Sequence, residues 1–133
     1  MKERNITVLM IEPQATPVIS RLDATMKAFN RAVSIGSYEV GIAKAKKLSA
    51  GIYAIFNRAG LFADLEANRK VGKDIIAGVI YIVGVDENCI PRSLTNKEIE
   101  KYSDMFWFPE YYSYSELLSN YSDALLKELD ELE

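Results

Sequence analysis

Histidine is missing from all 133 residues, and cysteine occurs once, at Cys89. Without histidine there is no Ser-His-Asp or Cys-His machinery, so acid–base work falls to Asp, Glu, Lys, Tyr or Cys. The same shortage excludes Cys/His zinc sites and an internal disulfide, and it fits a reducing cytoplasm. Long apolar runs are absent too. Val79 to Val83 is among the longest and is far too short to span a bilayer. The N-terminus leads straight into a strand-like run with no signal-peptide pattern, which predicts a soluble cytoplasmic protein with no membrane partner. There is no phosphate-binding glycine loop of either common type. Low-complexity tracts and linkers are also missing, so the chain reads as one domain.

The composition that remains is globular, with 49% hydrophobic and 26% charged residues and a net charge of −3. The charge is unevenly spread. Residues 1–109 carry 15 Lys/Arg against 12 Asp/Glu, a balance of +3, whereas residues 110–133 carry 1 against 7, a balance of −6. Neither half has the dense basic face that nucleic-acid binding needs, so direct binding to DNA or RNA is not expected. Lys44, Lys46 and Lys47 are the nearest approach to one; alternation puts the first two on the same, solvated side of the chain.

Periodicity predicts an α+β fold: a mixed or mainly antiparallel sheet of about five strands with three helices, two of them C-terminal. Ile6 to Ile11 reads as a buried strand ended by Glu12-Pro13, and Pro17 to Leu22 as a short returning strand. Asp23 is placed to cap a helix reaching Val33, with Met26, Phe29, Ala32 and Val33 as its buried stripe. Gly36 to Ile42 and Gly51 to Phe56 follow as strands around a lysine-rich bend, and Asn57 to Gly60 is a turn. A polar loop through Asn68-Arg69 and Gly72 leads to the longest strand candidate, Ile75 to Val85, in which Gly78 marks a bulge or close approach. Thr95 with Glu98, and Ser113 with Glu116, match the capping box that opens a helix. The first helix puts Ile99, Tyr102, Met105 and Phe106 on one face, and Pro109 ends it or turns the chain. The second carries a narrow seam of Leu117, Leu118, Tyr121, Leu125, Leu129 and Leu132 with an acidic outer face.

These segments, in order, resemble a small family of uncharacterised proteins from bacteriophages and conjugative elements of gut bacteria. The residues that carry the resemblance are Glu12-Pro13, Asn57 with Gly60, Asn68-Arg69, Asp74-Ile-Ile-Ala-Gly78, Gly84, Ser93-Leu-Thr95, Ile99-Glu-Lys-Tyr102 and Phe106. They cover residues 5–108 as a family-like core and leave residues 109–133 as an acidic helical extension. The chain departs from the family pattern at Gln14, where glycine is usual, and at Ala32-Val-Ser-Ile-Gly36, which replaces Val-Gly-Gly. The resemblance implies a mobile-element gene product acting in the cytoplasm of a bacterial host, with no stated activity and no cofactor.

Two groups of residues carry the functional expectations. Asn57, Arg58, Asn68, Arg69 and Asp74 combine amide donors and acceptors with the guanidinium fork that clamps phosphates and carboxylates. They read either as an internal brace of a long loop or as a site for a small anion or nucleotide. Phe106, Trp107, Phe108, Tyr111, Tyr112 and Tyr114 place six rings around Pro109. They read either as a hinge packing two helices or as an exposed hot spot. Asp86 and Glu87 read as a solvated turn, and Cys89 as an inert thiol.

The expected function is non-enzymatic inhibition or modulation of a host defence protein or complex, of CRISPR or restriction type, by protein–protein binding. Trp107, Phe108, Tyr111 and Tyr112 would form the contact, and Glu128, Asp130, Glu131 and Glu133 a charge mimic for a basic channel. The alternatives are a nucleotide-signal sponge using the Asn/Arg/Asp group and a homo-oligomeric accessory protein paired through the aromatic turn.

Overall fold

A computed structural model describes residues 5–34, 42–60 and 65–131, the side chains of 124, 127–129 and 131 excepted. They form one α+β domain. The strands are β1 (Asn5–Ile11), β2 (Val18–Asp23), β3 (Ala43–Ser49), β4 (Ile52–Asn57), β5 (Ala67–Val71), β6 (Asp74–Ala77), β7 (Ile80–Val85) and β8 (Pro91–Arg92). The helices are α1 (Met26–Val33), α2 (Asn96–Met105) and α3 (Tyr114–Glu131). The main sheet runs β2-β1-β7-β4-β3 with β8 added to β7, and every pairing is antiparallel; β5 and β6 make a separate hairpin.

Strand alternation sends side chains to two opposite layers. On one face Ile6, Val8, Ile55, Tyr81 and Val83 pack with Phe29 and Val33 of α1. On the other, Leu9, Ile11, Ile52, Ala54, Ile80 and Ile82 pack with Tyr102 and Phe106 of α2 and with Val71 and Ile76 of the hairpin. The apolar runs at β1 and β7 are continuous because both of their faces are covered.

Several sequence expectations change in the folded chain. The α1 cap is Thr25, whose hydroxyl accepts from the Ala28 amide at 3.0 Å, because Asp23 remains in β2 and accepts instead from Asn5. Met26 and Met105 face solvent, outside the stripes predicted for them. The lysine-rich bend is a strand: β3 pairs with β4 along Ala43–Ser49, with a bulge between Lys47 and Ser49. Lys44 and Lys46 lie on its half-buried side, and Ala45 and Lys47 on its exposed side. As the sheet's outer strand, β3 carries charge that discourages edge-to-edge pairing. The strand predicted over Gly36 to Ile42 falls almost wholly on 35–41, outside the described residues.

The predicted polar loop is the β5–β6 hairpin, and the predicted long strand is two strands in different sheets. Gly78 separates them with φ +84, and a Cβ there would lie 2.8 Å from the Leu65 side chain. Only glycine adopts this backbone at no steric cost, so the chain crosses from hairpin to central sheet at this residue. Gln14, in the turn after β1, also takes a left-handed conformation, with φ 62.

Candidate functional site

The polar residues singled out in the sequence are distributed over three places. Asn57 closes β4, and its Nδ2 donates at 2.9 Å to the carbonyl of Val33, one of the carbonyls that α1 leaves open at its C-terminus. Its Oδ1 accepts from the Ala59 amide at 2.9 Å, which fixes the turn after β4. Arg58 is exposed in that turn, with its main-chain N–H bonded to Ile42. Asp74 opens β6 and accepts from Lys46 Nζ at 2.9 Å, tying the hairpin to the edge strand β3.

Asn68 and Arg69 are fully buried neighbours on β5. Asn68 Nδ2 donates to the carbonyls of Ile11 at 2.7 Å and Gly78 at 2.9 Å, joining the end of β1 to the sheet-crossing glycine. Its Oδ1 accepts from the Arg69 guanidinium at 2.9 Å. Arg69 donates further to the Phe106 carbonyl from Nε at 3.2 Å and from its terminal nitrogen at 2.9 Å, and to the Ala15 carbonyl at 2.5 Å. Every one of these acceptors is neutral. Burial lowers the Arg69 pKa, and the negative charge of Glu110 opposes that shift. Phe106 is the C-cap residue of α2, so the buried cation also sits at the negative end of that helix dipole. One side chain thereby fastens the hairpin, the β1–β2 turn and the end of α2. Among the described residues, no buried side-chain nitrogen or oxygen lacks a hydrogen-bond partner.

The aromatic residues divide differently. Phe106 is in the core, and Tyr112 is half-buried with its hydroxyl donating to Glu110. Burial first, and then the Glu110 carboxylate, push the Tyr112 pKa up. Glu110 also accepts from the Lys70 amide at 2.8 Å, so the turn is pinned along the outer edge of β5. The remaining rings project outward: Trp107 is 45% exposed, Phe108 78% and Tyr111 73%. Helix α3 follows, and none of its described side chains is buried. Asn120 ties it to the hairpin turn, accepting from the Ile75 amide at 3.1 Å and donating to the Lys73 carbonyl at 3.2 Å. Asp130 is exposed; the side chains of Glu128 and Glu131, and all of Glu133, lie outside the described residues.

The geometry thus concentrates chemical opportunity on the outer surface around residues 107–125. The residues that sequence reasoning missed are Glu110 and Asn120, which position that surface. A polar Asn within a helical run, where its propensity is poor, is the one sequence signal that marked Asn120. Among the described residues no three His, Cys, Asp or Glu side chains come together as a metal site. No described helix is long and apolar enough to cross a membrane.

Residues 6–107 match the family described as Domain of unknown function (DUF3846), and the chain belongs to it. The match ends where the exposed aromatic turn begins, so α3 lies beyond the matched region. No curated protein and no solved structure matches the chain.

Proposed function

We propose that this chain is a non-enzymatic protein-binding module of a phage or conjugative element, and that it modulates a host defence complex of CRISPR or restriction type. The observation that carries the binding reading is the outward projection of Trp107, Phe108 and Tyr111 from a turn fastened on both sides. Aromatic side chains held on a rigid base anchor protein interfaces with little loss of conformational freedom. The acidic balance of residues 110–133 adds an electrostatic component that steers the module toward a basic groove, such as one that holds nucleic acid. The mobile-element resemblance supplies the class of partner, and the lack of histidine supports a binding role over catalysis.

The nucleotide-sponge reading has weaker support. The donors of Asn57, Asn68 and Arg69 that it needs are engaged with main-chain carbonyls and with each other.

The test is capture from infected host cells with the tagged chain beside a Phe108→Ser/Tyr111→Ser variant. A nuclease or other defence subunit retained stoichiometrically by the parent chain and lost from the variant is the expected result. Equal retention by both would overturn the assignment of the surface. A chain that captures no protein but carries a nucleotide, with a ligand-dependent rise in Tm, would transfer the function to the sponge reading.

A further inference from the structure

We infer that β2 pairs antiparallel with β2 of a second copy of this chain, joining two main sheets into one, independently of any host partner. Among the described residues β2 pairs with β1 alone and forms one end of the sheet. The two ends of that sheet are built differently. Outer strand β3 carries Lys44, Lys46 and Lys47 and a bulge, devices that keep an edge from pairing. Strand β2 has neither. It runs in unbroken register with β1 from Val18 to Asp23 and exposes Val18 by 50% and Ile19 by 60%. Its two charged side chains turn back onto β1. Arg21 donates to Thr7 Oγ1 at 3.1 Å and to the Asn5 carbonyl at 3.2 Å, and Asp23 accepts from Asn5 Nδ2 at 3.2 Å.

The main-chain groups of the edge select the occupant. In β1, Thr7 points away from β2: its amide donates to Ser93 Oγ at 2.9 Å and its carbonyl accepts from the Leu94 amide at 3.0 Å. Alternation then gives Ile6, Val8 and Met10 the bonds to Leu22, Ser20 and Val18. The amides and carbonyls of Ile19 and Arg21 face outward, between the Pro17 carbonyl and the Asp23 amide. Two groups are missing from the ends of this row. Pro17 has no N–H, and the Asp23 carbonyl already accepts from the Thr25 amide at 2.9 Å. A two-fold pairing with Ser20 opposite Ser20 of the second copy sets these two gaps against each other. Ile19 then exchanges both bonds with Arg21 of the second copy, and the Asp23 amide donates to the second copy's Pro17 carbonyl. Every outward group finds a partner. Sliding one copy by two residues either sets Arg21 against Arg21 or strands the Arg21 carbonyl opposite Pro17. The side chains agree with the unshifted register: Val18 lies opposite Leu22 on the α1 side of the sheet, and Ile19 opposite the aliphatic stem of Arg21 on the α2 side.

The test uses the full chain in sedimentation equilibrium over roughly 10 to 500 µM, the range expected for a short strand pairing between already folded domains. The expected result is a shift from monomer to dimer mass, with hydrogen exchange at the Ile19 and Arg21 amides slowing as the dimer fills. Ile19→Pro removes an outward donor without touching the ladder to β1 and should abolish the dimer. Ile19→Lys, which sets a cation against Arg21 of the second copy, should do the same with the β-sheet circular dichroism unchanged, and it alone decides should the proline unfold the chain. In a Cys89→Ser background, Ser20→Cys should cross-link to its own copy on oxidation, since facing residues of such a pair have Cα atoms about 4.5 Å apart. Val18→Cys should not, because the pairing separates it from its own copy by roughly 13 Å along the strand. A monomer throughout, a dimer indifferent to Ile19→Lys, or self-cross-linking through Val18→Cys in place of Ser20→Cys would each overturn the proposal. So would a monomer whose Ile19 and Arg21 amides are protected only by an added extended peptide, because the edge would then belong to a foreign strand.

Discussion

Helices α2 and α3 begin in the same way and end in opposite circumstances. In each, a hydroxyl at the cap accepts from the amide three residues on, and a glutamate there accepts from the cap amide: Thr95 with Glu98, Ser113 with Glu116. Beyond that first turn the two diverge. Helix α2 buries Tyr102 and Phe106 in the core, and Arg69 holds its C-terminal carbonyl. Its Glu98 makes a two-pronged pair with Arg92 at 2.8 and 2.9 Å, and these hydrogen bonds are the largest cause holding its pKa down to about 2. Glu116 on α3 is also held below the usual carboxylate range, first by the Ser113 hydrogen bonds and then by the charge of Lys70, with no two-pronged ion pair. The difference teaches that a capping box fixes where a helix starts and is silent about what the helix packs on. The partner comes from distant segments.

The contrast breaks most sharply at Arg69. Arg69→Leu leaves the carbonyls of Phe106 and Ala15 and the Asn68 amide oxygen buried without donors. It should cost about 3–5 kcal/mol of unfolding free energy, read by denaturant titration. A loss below about 1 kcal/mol would show that α2 is held by its apolar face alone.

Glu98→Gln should cost about 1–2 kcal/mol at pH 7, a figure reduced for the partial exposure of the pair. The sign of its pH dependence follows from a pKa depressed in the folded state. The carboxylate's contribution is complete above its unfolded value and is lost as pH falls toward about 2. Midpoints of the parent and Glu98→Gln chains should therefore converge between about pH 4.5 and pH 2. A gap that persists unchanged at the acid end would assign the stabilisation to shape rather than charge.

The smallest effect belongs to α3. Ser113→Ala should leave the global unfolding midpoint unmoved while speeding hydrogen exchange at the amides of Glu116 and Leu117, the outcome expected if the first turn of α3 opens without the core. A matching drop in global stability would mean that α3 unfolds as one unit with the sheet.

Local signals were the legible ones. Both capping boxes, the two-sided apolar run of β1, and the turn after Asn57 are determined by residues a few positions apart, and each lies where the pattern puts it. The β5–β6 hairpin was hidden because Asn68 and Arg69 look like loop residues until the carbonyls of Ile11, Ala15, Gly78 and Phe106 are brought to them. Those partners lie up to 57 positions away in the chain. Edge strand β3 was hidden by its lysines, whose charge density reads as a bend although their alternation suits an outermost strand. For the candidate surface, the density of rings was visible but their direction was not. Phe106 and Tyr112 turn inward because the core and Glu110 receive them, and nothing local distinguishes them from Trp107 and Tyr111.

The clamp at Arg69 also determines how this fold tolerates mutation. Its acceptors at Ala15 and Phe106 are main-chain oxygens, which every amino acid supplies. The arginine recognises the path of the backbone rather than the identity of the residues along it. Position 15 is thus free to drift through many side chains without unfastening the domain, whereas position 69 admits no substitute with the same reach and fork of donors. Variation can accumulate around such a centre while the architecture it fastens stays the same.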